Sequence, residues 1–228
     1  MTQIYPITER LPTGMFLAAT AGALDAYTYL DHGGVFAGLQ TGNMILMGIN
    51  LGRGDWAQVL THLIPFLVFA IGTAIIRSLQ HALSDTAALR RRATIVLFFE
   101  AGMALVTTII APVLPDVAAS SLVAIIAAAQ LQEFRRLRGK PFMSIMMTGN
   151  LRTAAEGLYD AIAKHDKGAL LRAGDASATI IALIIGATLS ATSTHFLGSR
   201  GIIFAVVPLA GAIIYMLTAE PLNPASSK

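Results

Sequence analysis

Two copies of one polar tripeptide are the most distinctive chemistry-bearing feature of this sequence. Thr41-Gly42-Asn43 recurs as Thr148-Gly149-Asn150, and we call the spacing between the two copies the repeat offset. Threonine and asparagine favour the first positions of α-helices, and a helix amino end carries unpaired N–H groups and about half a positive charge. Such an end can hold an anion or a carbonyl group, and glycine lets a ligand approach closely. The tripeptides therefore predict two helix amino ends that bind a ligand or, in the plainer alternative, two helix caps without one.

Two acidic residues stand inside long apolar stretches. Asp25 lies within residues 11–30 and Glu100 within residues 93–114. In a bilayer a carboxyl group must be protonated, paired with another polar group or in contact with water. By default such a group marks a proton or substrate pathway. The alternative is a neutral acid that bonds a neighbouring helix.

Two amides, Gln130 and Gln132, stand close to the position that matches Asp25 at the repeat offset. They are candidates for a neutral counterpart of the acid, and hydrogen bonds between packed helices are the equal alternative. The candidate substrate or ion site thus comprises Asp25 and both tripeptides. Glu100, Gln130 and Gln132 are candidate proton-linked or polar supports. The sequence has no cysteine and no His, Asp and Glu spacing typical of a metal site, so we expect neither metal nor cofactor.

The composition predicts that a lipid bilayer surrounds these residues. Hydrophobic residues make up 55% of the chain and charged residues 13%, against about 45–50% and 25% in soluble domains. Six apolar stretches, each with at most one acidic residue inside it or at its end, predict six transmembrane helices. These are Leu11–Leu30, Trp56–Ile76, Ala93–Leu114, Val117–Gln132, Ala176–Ser199 and Gly201–Ala219. We therefore expect an all-α integral membrane protein with one domain over residues 1–228.

The basic residues predict the orientation of the chain. If the loops alternate between the two sides, fourteen of the sixteen lysines and arginines share the side of both termini. Only Arg53 and Arg200 fall on the other side. Because cytoplasmic loops carry the excess of positive charge, both termini are expected in the cytoplasm. The basic residues line short loops beside spans, so we expect no nucleic-acid partner.

The order of spans predicts an internal duplication. Residues 12–111 form the first repeat, residues 117–218 form the second, and residues 219–228 form a cytoplasmic tail. Ile71-Gly72 matches Ile185-Gly186 if the second repeat contains seven extra residues. Each repeat holds three spans, an odd number, so the halves must enter the membrane in opposite directions, as in many transporters and some channels. Short helices that begin at the two tripeptides would then meet near the midplane.

These residues resemble the YoaK family of bacterial multi-pass membrane proteins, a family of unknown function. The first-half match comprises Gly22-x-x-Asp25-Ala26, Gly34-Val35-Phe36 and Thr41-Gly42-Asn43; the second-half match comprises Arg135-Arg136-Leu137, Gly139 and Thr148-Gly149-Asn150. The similarity covers nearly the whole chain. It implies an integral protein of the cytoplasmic (inner) membrane with about six helices, and it implies no substrate.

A transporter or channel for a small molecule or ion, with its site between the repeats, is the leading functional hypothesis. A non-transporting membrane scaffold or regulator is the alternative. An intramembrane enzyme is least favoured, because the chain lacks the nucleophile and metal-binding motifs that such enzymes use. Small-residue spacings such as Ala182, Gly186 and Ser190 allow close helix contacts and leave a homo-oligomer open.

Overall fold

The computed structural model describes residues 5–82 and 89–220. Within these ranges the chain forms eight α-helices, three short 3-10 helices and one two-stranded ladder. The helices are α1 Leu11–Asp31, α2 Gln40–Arg53, α3 Trp56–Ala82, α4 Leu89–Ile110, α5 Asp116–Glu133, α6 Met147–Lys164, α7 Lys167–Leu197 and α8 Val206–Thr218. The strands, β1 Arg136–Leu137 and β2 Lys140–Pro141, pair in antiparallel register between α5 and α6.

Local sequence explains where the short helices end. α2 stops at Gly54, whose φ of 71° is the left-handed conformation that closes many helices. α6 stops at His165, which adopts a φ of 54°. Asp166 follows and caps α7, because its carboxylate accepts the Gly168 N–H at 2.8 Å. The backbone N–H groups of Ala169 and Gly168 hold the pKa of Asp166 below its ordinary value.

Three helical stretches are long and apolar enough to cross a membrane. They are Trp56–Ala82, Leu89–Val113 and Lys167–Thr218. The last stretch has 52 residues and contains both α7 and α8. α1 and α5 are not among these stretches, and their polar side chains Asp25 and Gln130 are buried within the protein. The protein therefore has the apolar helices of a membrane protein.

The last predicted span begins differently from the sequence expectation. Residues 198–205 form a 3-10 helix before α8, where a continuous α-helix was expected from Gly201. Gly198 leaves α7 with a φ of 54°. The chain then folds back onto α7, where the Ser193 hydroxyl donates to the Gly201 carbonyl at 2.9 Å. Gly201 lies so close that a Cβ there would be 2.7 Å from the Thr194 Cα, and this contact fixes the break.

The first turns of α1 and α4 lie at one end of the bundle, together with the last turns of α5 and α8. We call this the basic end. The Arg10 guanidinium donates to the Glu220 carbonyl at 3.3 Å, so the beginning of α1 and the second residue after α8 share this end. Arg90 donates to the Met216 carbonyl at 2.9 Å, and Arg92 pairs with Glu133 at 2.9 Å.

The opposite end holds a buried polar network. The Tyr27 hydroxyl donates to the Ser199 carbonyl at 2.6 Å and lies 2.8 Å from His32 Nε2. His32 Nδ1 lies 3.3 Å from the Asp116 carboxylate. These contacts place the end of α1, the beginning of α5 and the segment after α7 together. The long helices α1, α4, α5, α7 and α8 therefore run between the two ends of the bundle.

Small residues allow the long helices to approach closely. α1 packs along α7, and α3 packs along α5. A Cβ at Gly22 would overlap the Leu183 carbonyl, and a Cβ at Gly186 would overlap the Ala19 carbonyl. α2 packs on α3, α6 packs on α7, and both α1 and α4 contact α8. One apolar core lies where α1, α4, α5 and α8 meet, around Leu17, Leu97 and Leu209.

Candidate functional site

Asp25 of α1 holds the loop that leads into α2. Its side chain is buried, and its two carboxylate oxygens accept the Gly38 N–H at 2.7 Å and the Leu39 N–H at 3.2 Å. These amides come directly before the first residue of α2. The sequence predicted that the amino end of this helix could bind an external anion. In the structure a carboxylate of the protein itself binds the two amides that directly precede this amino end.

The threonines do not cap the helices, so this part of the sequence prediction is wrong. α2 begins at Gln40 and α6 begins at Met147, one residue before each threonine. The capping positions are Leu39 and Met146, and neither makes a side-chain capping bond. The physical reason is that the preceding backbone already adopts a turn at Leu39 and Met146, so each tripeptide enters the first helical turn.

Asn43, the third residue of the first tripeptide, braces the same loop. Its Oδ1 accepts the Phe36 N–H at 2.9 Å, and its amide group donates to the Phe36 carbonyl at 2.6 Å. It also donates to Gln40 Oε1 at 3.0 Å. Asn43 is fully buried, whereas Thr41 is exposed. Gly42 is required by packing, since a Cβ there would lie 2.7 Å from the Phe36 ring.

The second tripeptide makes different contacts. Thr148 and Gly149 are exposed, and a Cβ at Gly149 would have no neighbour within 4 Å. The Asn150 amide donates to Met147 Sδ at 3.0 Å and to the Thr179 hydroxyl of α7 at 3.1 Å. Asn150 thus links α6 to α7.

The two candidate glutamines serve separate contacts. Gln130 is buried and donates to the Leu17 carbonyl at 3.0 Å and to the Ser144 hydroxyl at 2.8 Å. It therefore ties α5 both to α1 and to the loop before α6. Gln132 donates to Gln80 Oε1 at 2.9 Å near the end of α3.

Glu100 lies apart from these groups in the middle of α4. Its side chain has no exposed surface, and neither carboxyl oxygen has a hydrogen-bond partner among the described residues. Its neighbours along α4, Leu97 and Ala101, belong to the apolar core. An acid in such a position is unfavourable to bury, which makes Glu100 an isolated polar group that the other candidates do not touch.

Two clefts flank the loops before α2 and α6. The first cleft has a volume of about 500 Å³ and is lined by α1, α7 and both loops. Among its residues are Asp25, Phe36, Leu39, Ile145, Leu183 and Ala187. The second cleft has a volume of about 270 Å³ and is lined by α2, α3, the end of α5 and both loops. Among its residues are Gln132, Met143, Met146, Gly38, Phe69 and Thr73. Leu39 and Ile145 line both clefts.

The structure does not bring all the predicted site residues together. Asp25 lines the first cleft, and Thr41 and Gln132 line the second. Asn150 lines a third cavity of about 410 Å³ at the basic end, beside the ion pair of Arg138 and Asp175. Asp25 and Asn43 therefore bind the same loop before α2, whereas Asn150 of the second tripeptide lies elsewhere.

Sequence reasoning missed the contact between the two loops. A Cβ at Gly38 would overlap the Ile145 side chain, so these loops meet directly beside Asp25. The signal was present, because Gly38 and Ile145 are separated by the repeat offset, as the two tripeptides are. Neither residue bears a chemically reactive group, and for that reason neither was a candidate. Ile145 lines both clefts and Gly38 lines the second, so this contact lies where the two clefts meet.

Chemically, the first cleft offers one carboxylate in apolar surroundings. The second cleft offers neutral amides and hydroxyls together with Arg135. Among the described residues, no group of three or more His, Cys, Asp or Glu side chains is arranged to hold a metal ion.

Comparison with known proteins identifies a family. The family model described as "Protein of unknown function (DUF1275)" matches residues 13–215. No curated protein matches the chain, and no solved structure matches it. The match extends from the first helix through the last and includes Asp25 and both tripeptides. The chain belongs to this DUF1275 family, which includes the YoaK proteins that its sequence resembles.

Proposed function

We propose that the protein is a transporter of a small molecule or ion, built from two inverted halves of three membrane spans each. In this proposal the spans are α1, α3 and α4 in the first half and α5, α7 and α8, with its preceding 3-10 helix, in the second. The basic end faces the cytoplasm of a bacterial inner membrane, because positive charge collects on the cytoplasmic side. The short helices α2 and α6 re-enter the bundle from opposite ends.

The pattern of helix contacts supports the duplication. If α1 is exchanged with α5, α2 with α6, α3 with α7 and α4 with α8, the pattern of contacts between helices stays the same. The α1–α7 contact becomes α5–α3, the α2–α3 contact becomes α6–α7, and the α1–α8 contact becomes α5–α4. The remaining α4–α8 and α1–α5 contacts map onto themselves. A two-fold axis that relates the halves has this consequence.

The two clefts also correspond residue by residue. The repeat offset relates Asp25 to Gln132, Phe36 to Met143 and Leu39 to Met146. With the seven extra residues of the second half, Phe69 corresponds to Leu183 and Thr73 to Ala187. In every pair, one residue lines the first cleft and its counterpart lines the second. The first and second clefts are therefore interpreted as two copies of one structural feature.

The contact of Gly38 with Ile145 carries the proposal. These residues are counterparts at the repeat offset, and a residue touches its own counterpart only beside the symmetry axis. Both clefts border this contact, and they share its Ile145 together with the neighbouring Leu39. This arrangement fits a path that runs through both clefts and is closed at one point, where the two loops meet.

Transport would follow from a small movement at this contact. If one half rocks against the other, the loops separate toward one end and close toward the other, which is alternating access around a fixed site. The tight packing of Gly22 and Gly186 between α1 and α7 provides the joint about which the halves turn. Closure by Leu39 and Ile145, both apolar, keeps water from crossing when no substrate is bound.

The natural absence of cysteine allows a direct test of this path. Single variants Ala187→Cys in the first cleft and Thr73→Cys in the second occupy corresponding positions. Each is treated with a membrane-impermeant maleimide in right-side-out and in inside-out vesicles. We expect Ala187→Cys to react from the outer side and Thr73→Cys from the cytoplasmic side, because each cleft opens toward one end.

Ile185→Cys and Ile71→Cys are the matched controls. Both isoleucines are more than half exposed on the outer surfaces of α7 and α3, and they are counterparts in the two halves. As lipid-facing thiols they should react poorly from either side. Reaction of both cleft positions from the same side would contradict the inverted halves. Failure of both cleft positions to react would favour a solid, non-transporting scaffold.

A further inference from the structure

We propose that the first cleft binds an organic cation, an ammonium or similar group attached to an apolar body. The inference rests on the proposed transport function and specifies its substrate class. It follows from the one acidic group of the cleft, the nature of its walls and the size of the space. Each of these limits what the cleft can hold.

The Asp25 side chain has the hydrogen-bond pattern of a carboxylate. Both of its oxygens accept backbone N–H groups, from Gly38 and Leu39, so neither oxygen is required as a proton donor. Two N–H donors do not neutralise a buried negative charge. Among the described residues, no lysine, arginine or histidine forms an ion pair with Asp25. A positively charged ligand would supply the missing partner.

The walls of the cleft are suited to an apolar body. Leu183 and Ala187 of α7 and the Phe36 ring are among the residues that line it. Tyr29 stacks on Phe36 with ring centroids 4.9 Å apart, and about half of the Tyr29 side chain is exposed at the rim. Aromatic faces attract cations within about 6 Å, so this pair favours a cationic ligand over a neutral one. A volume of about 500 Å³ accommodates a small organic molecule.

Other ligand classes fit the cleft poorly. A divalent metal ion requires about six oxygen ligands, whereas Asp25, Thr188 and Tyr29 provide the only side-chain oxygens among the residues that line the cleft. An anion in the first cleft would be repelled by the Asp25 carboxylate. The second cleft has Gln132 at the position of Asp25 and Arg135 at its edge, so it lacks the negative charge. The preference for a cation therefore belongs to one cleft and not to its counterpart.

Binding of ethidium, a fluorescent organic cation, to the purified full-length protein tests the inference. Fluorescence anisotropy should show saturable binding to the wild type, and benzyltrimethylammonium should compete. Asp25→Asn should weaken ethidium binding at least tenfold because it removes the charge and keeps the shape. Leu183→Trp should weaken it similarly by filling the cleft without changing Asp25. The anion 8-anilinonaphthalene-1-sulfonate should show no binding that depends on Asp25.

Phe69→Trp, the corresponding change in the second cleft, is the matched control and should leave ethidium binding unchanged. Gel filtration and the thermal unfolding midpoint confirm that each variant is folded. If Asp25→Asn is unfolded, Leu183→Trp alone decides the question. Unchanged binding in a folded Asp25→Asn or Leu183→Trp variant overturns the inference, as does the absence of saturable ethidium binding by the wild type.

The two experiments separate the substrate class from the transport pathway. If the maleimide reaction finds clefts open to opposite sides but ethidium binding does not depend on Asp25, the cation site is wrong and the pathway remains. If binding depends on Asp25 and both clefts react from one side, the cation site remains and the transport function is wrong.

Discussion

In the proposed duplication the loops before α2 and before α6 occupy corresponding places in the two halves, yet different interactions hold them. Asp25 and Asn43 fix the first loop through four hydrogen bonds to the backbone of Phe36, Gly38 and Leu39. The second loop is held through the Gln130 bond to Ser144. Corresponding positions in the fold therefore do not imply corresponding interactions, even when the same tripeptide follows.

The difference extends to the short helices themselves. α2 has Arg53 as its only charged residue, whereas α6 carries Arg152 paired with Glu156 at 3.2 Å and Asp160 paired with Lys164 at 2.8 Å. In the first half the buried side chains of Asp25 and Asn43 hold the loop, and α2 can be apolar. In the second half α6 presents its charges at the surface and packs through Gly157 against α7.

The largest expected effect comes from two corresponding glycines. A Cβ at Gly186 would overlap the Ala19 carbonyl, whereas a Cβ at Gly72 would lie 3.2 Å from the Ala128 Cβ. Gly186→Ala should lower the free energy of unfolding by about 3 kcal/mol, because a backbone atom cannot move aside as a side chain can. Gly72→Ala should change it by less than about 1 kcal/mol, since the gain in helix propensity offsets the tight contact.

Unfolding by sodium dodecyl sulfate in mixed micelles measures both variants. Equal destabilisation by the two substitutions would show that the α1–α7 and α3–α5 contacts are equally tight. That result would contradict the assignment of the closer joint to α1 and α7.

The asparagines of the two tripeptides provide a second comparison. Asn43→Ala should destabilise the protein by about 2 kcal/mol, because it leaves the N–H and carbonyl of Phe36 without their partner in a buried position. Asn150→Ala should cost about 1 kcal/mol or less, because its partners are the Met147 sulfur and a Thr179 hydroxyl that keeps its bond to the Ala176 carbonyl. The same unfolding titration measures this difference, and a larger loss for Asn150→Ala would reverse the proposed roles.

The family and the positions of most helices could be predicted from the sequence because both depend on local patterns. The length of apolar runs placed α1, α3, α4 and α5, and the paired tripeptides marked the beginnings of α2 and α6 to within one residue. The repeat offset could also be determined from the tripeptides alone. These signals can be recognised without knowing which distant parts of the chain contact each other.

The organisation of the site could not be predicted, because it depends on contacts between distant segments. Nothing in the sequence around Asp25 shows that its partners are the backbone amides of Gly38 and Leu39. Thr41 and Thr148 were expected as caps from their residue type, but the preceding backbone had already turned. The two clefts meet at the contact of Gly38 with Ile145, and the importance of these two residues comes from position and not from chemical type.

Glu100 provides the last comparison of the halves, and the smallest expected effect. It is a buried acid in the last helix of the first half, whereas α8, the last helix of the second half, contains no charged residue. Neither oxygen of Glu100 has a hydrogen-bond partner among the described residues. Glu100→Met keeps the length of the side chain and removes a buried polar group without a partner, so it should raise the free energy of unfolding by about 1 kcal/mol.

Glu100→Gln is the control, because glutamine keeps the shape and remains polar and should give no such gain. If Glu100→Met instead destabilises the protein, Glu100 has a partner in the folded state, and a proton-linked or ligand-binding role for it gains support. If Glu100→Met is more stable and the protein still binds ethidium like the wild type, the acid takes no part in the cation site. Asp25 would then be the one buried acid of the first half whose charge the site uses, with Gln132 as its neutral counterpart in the second half.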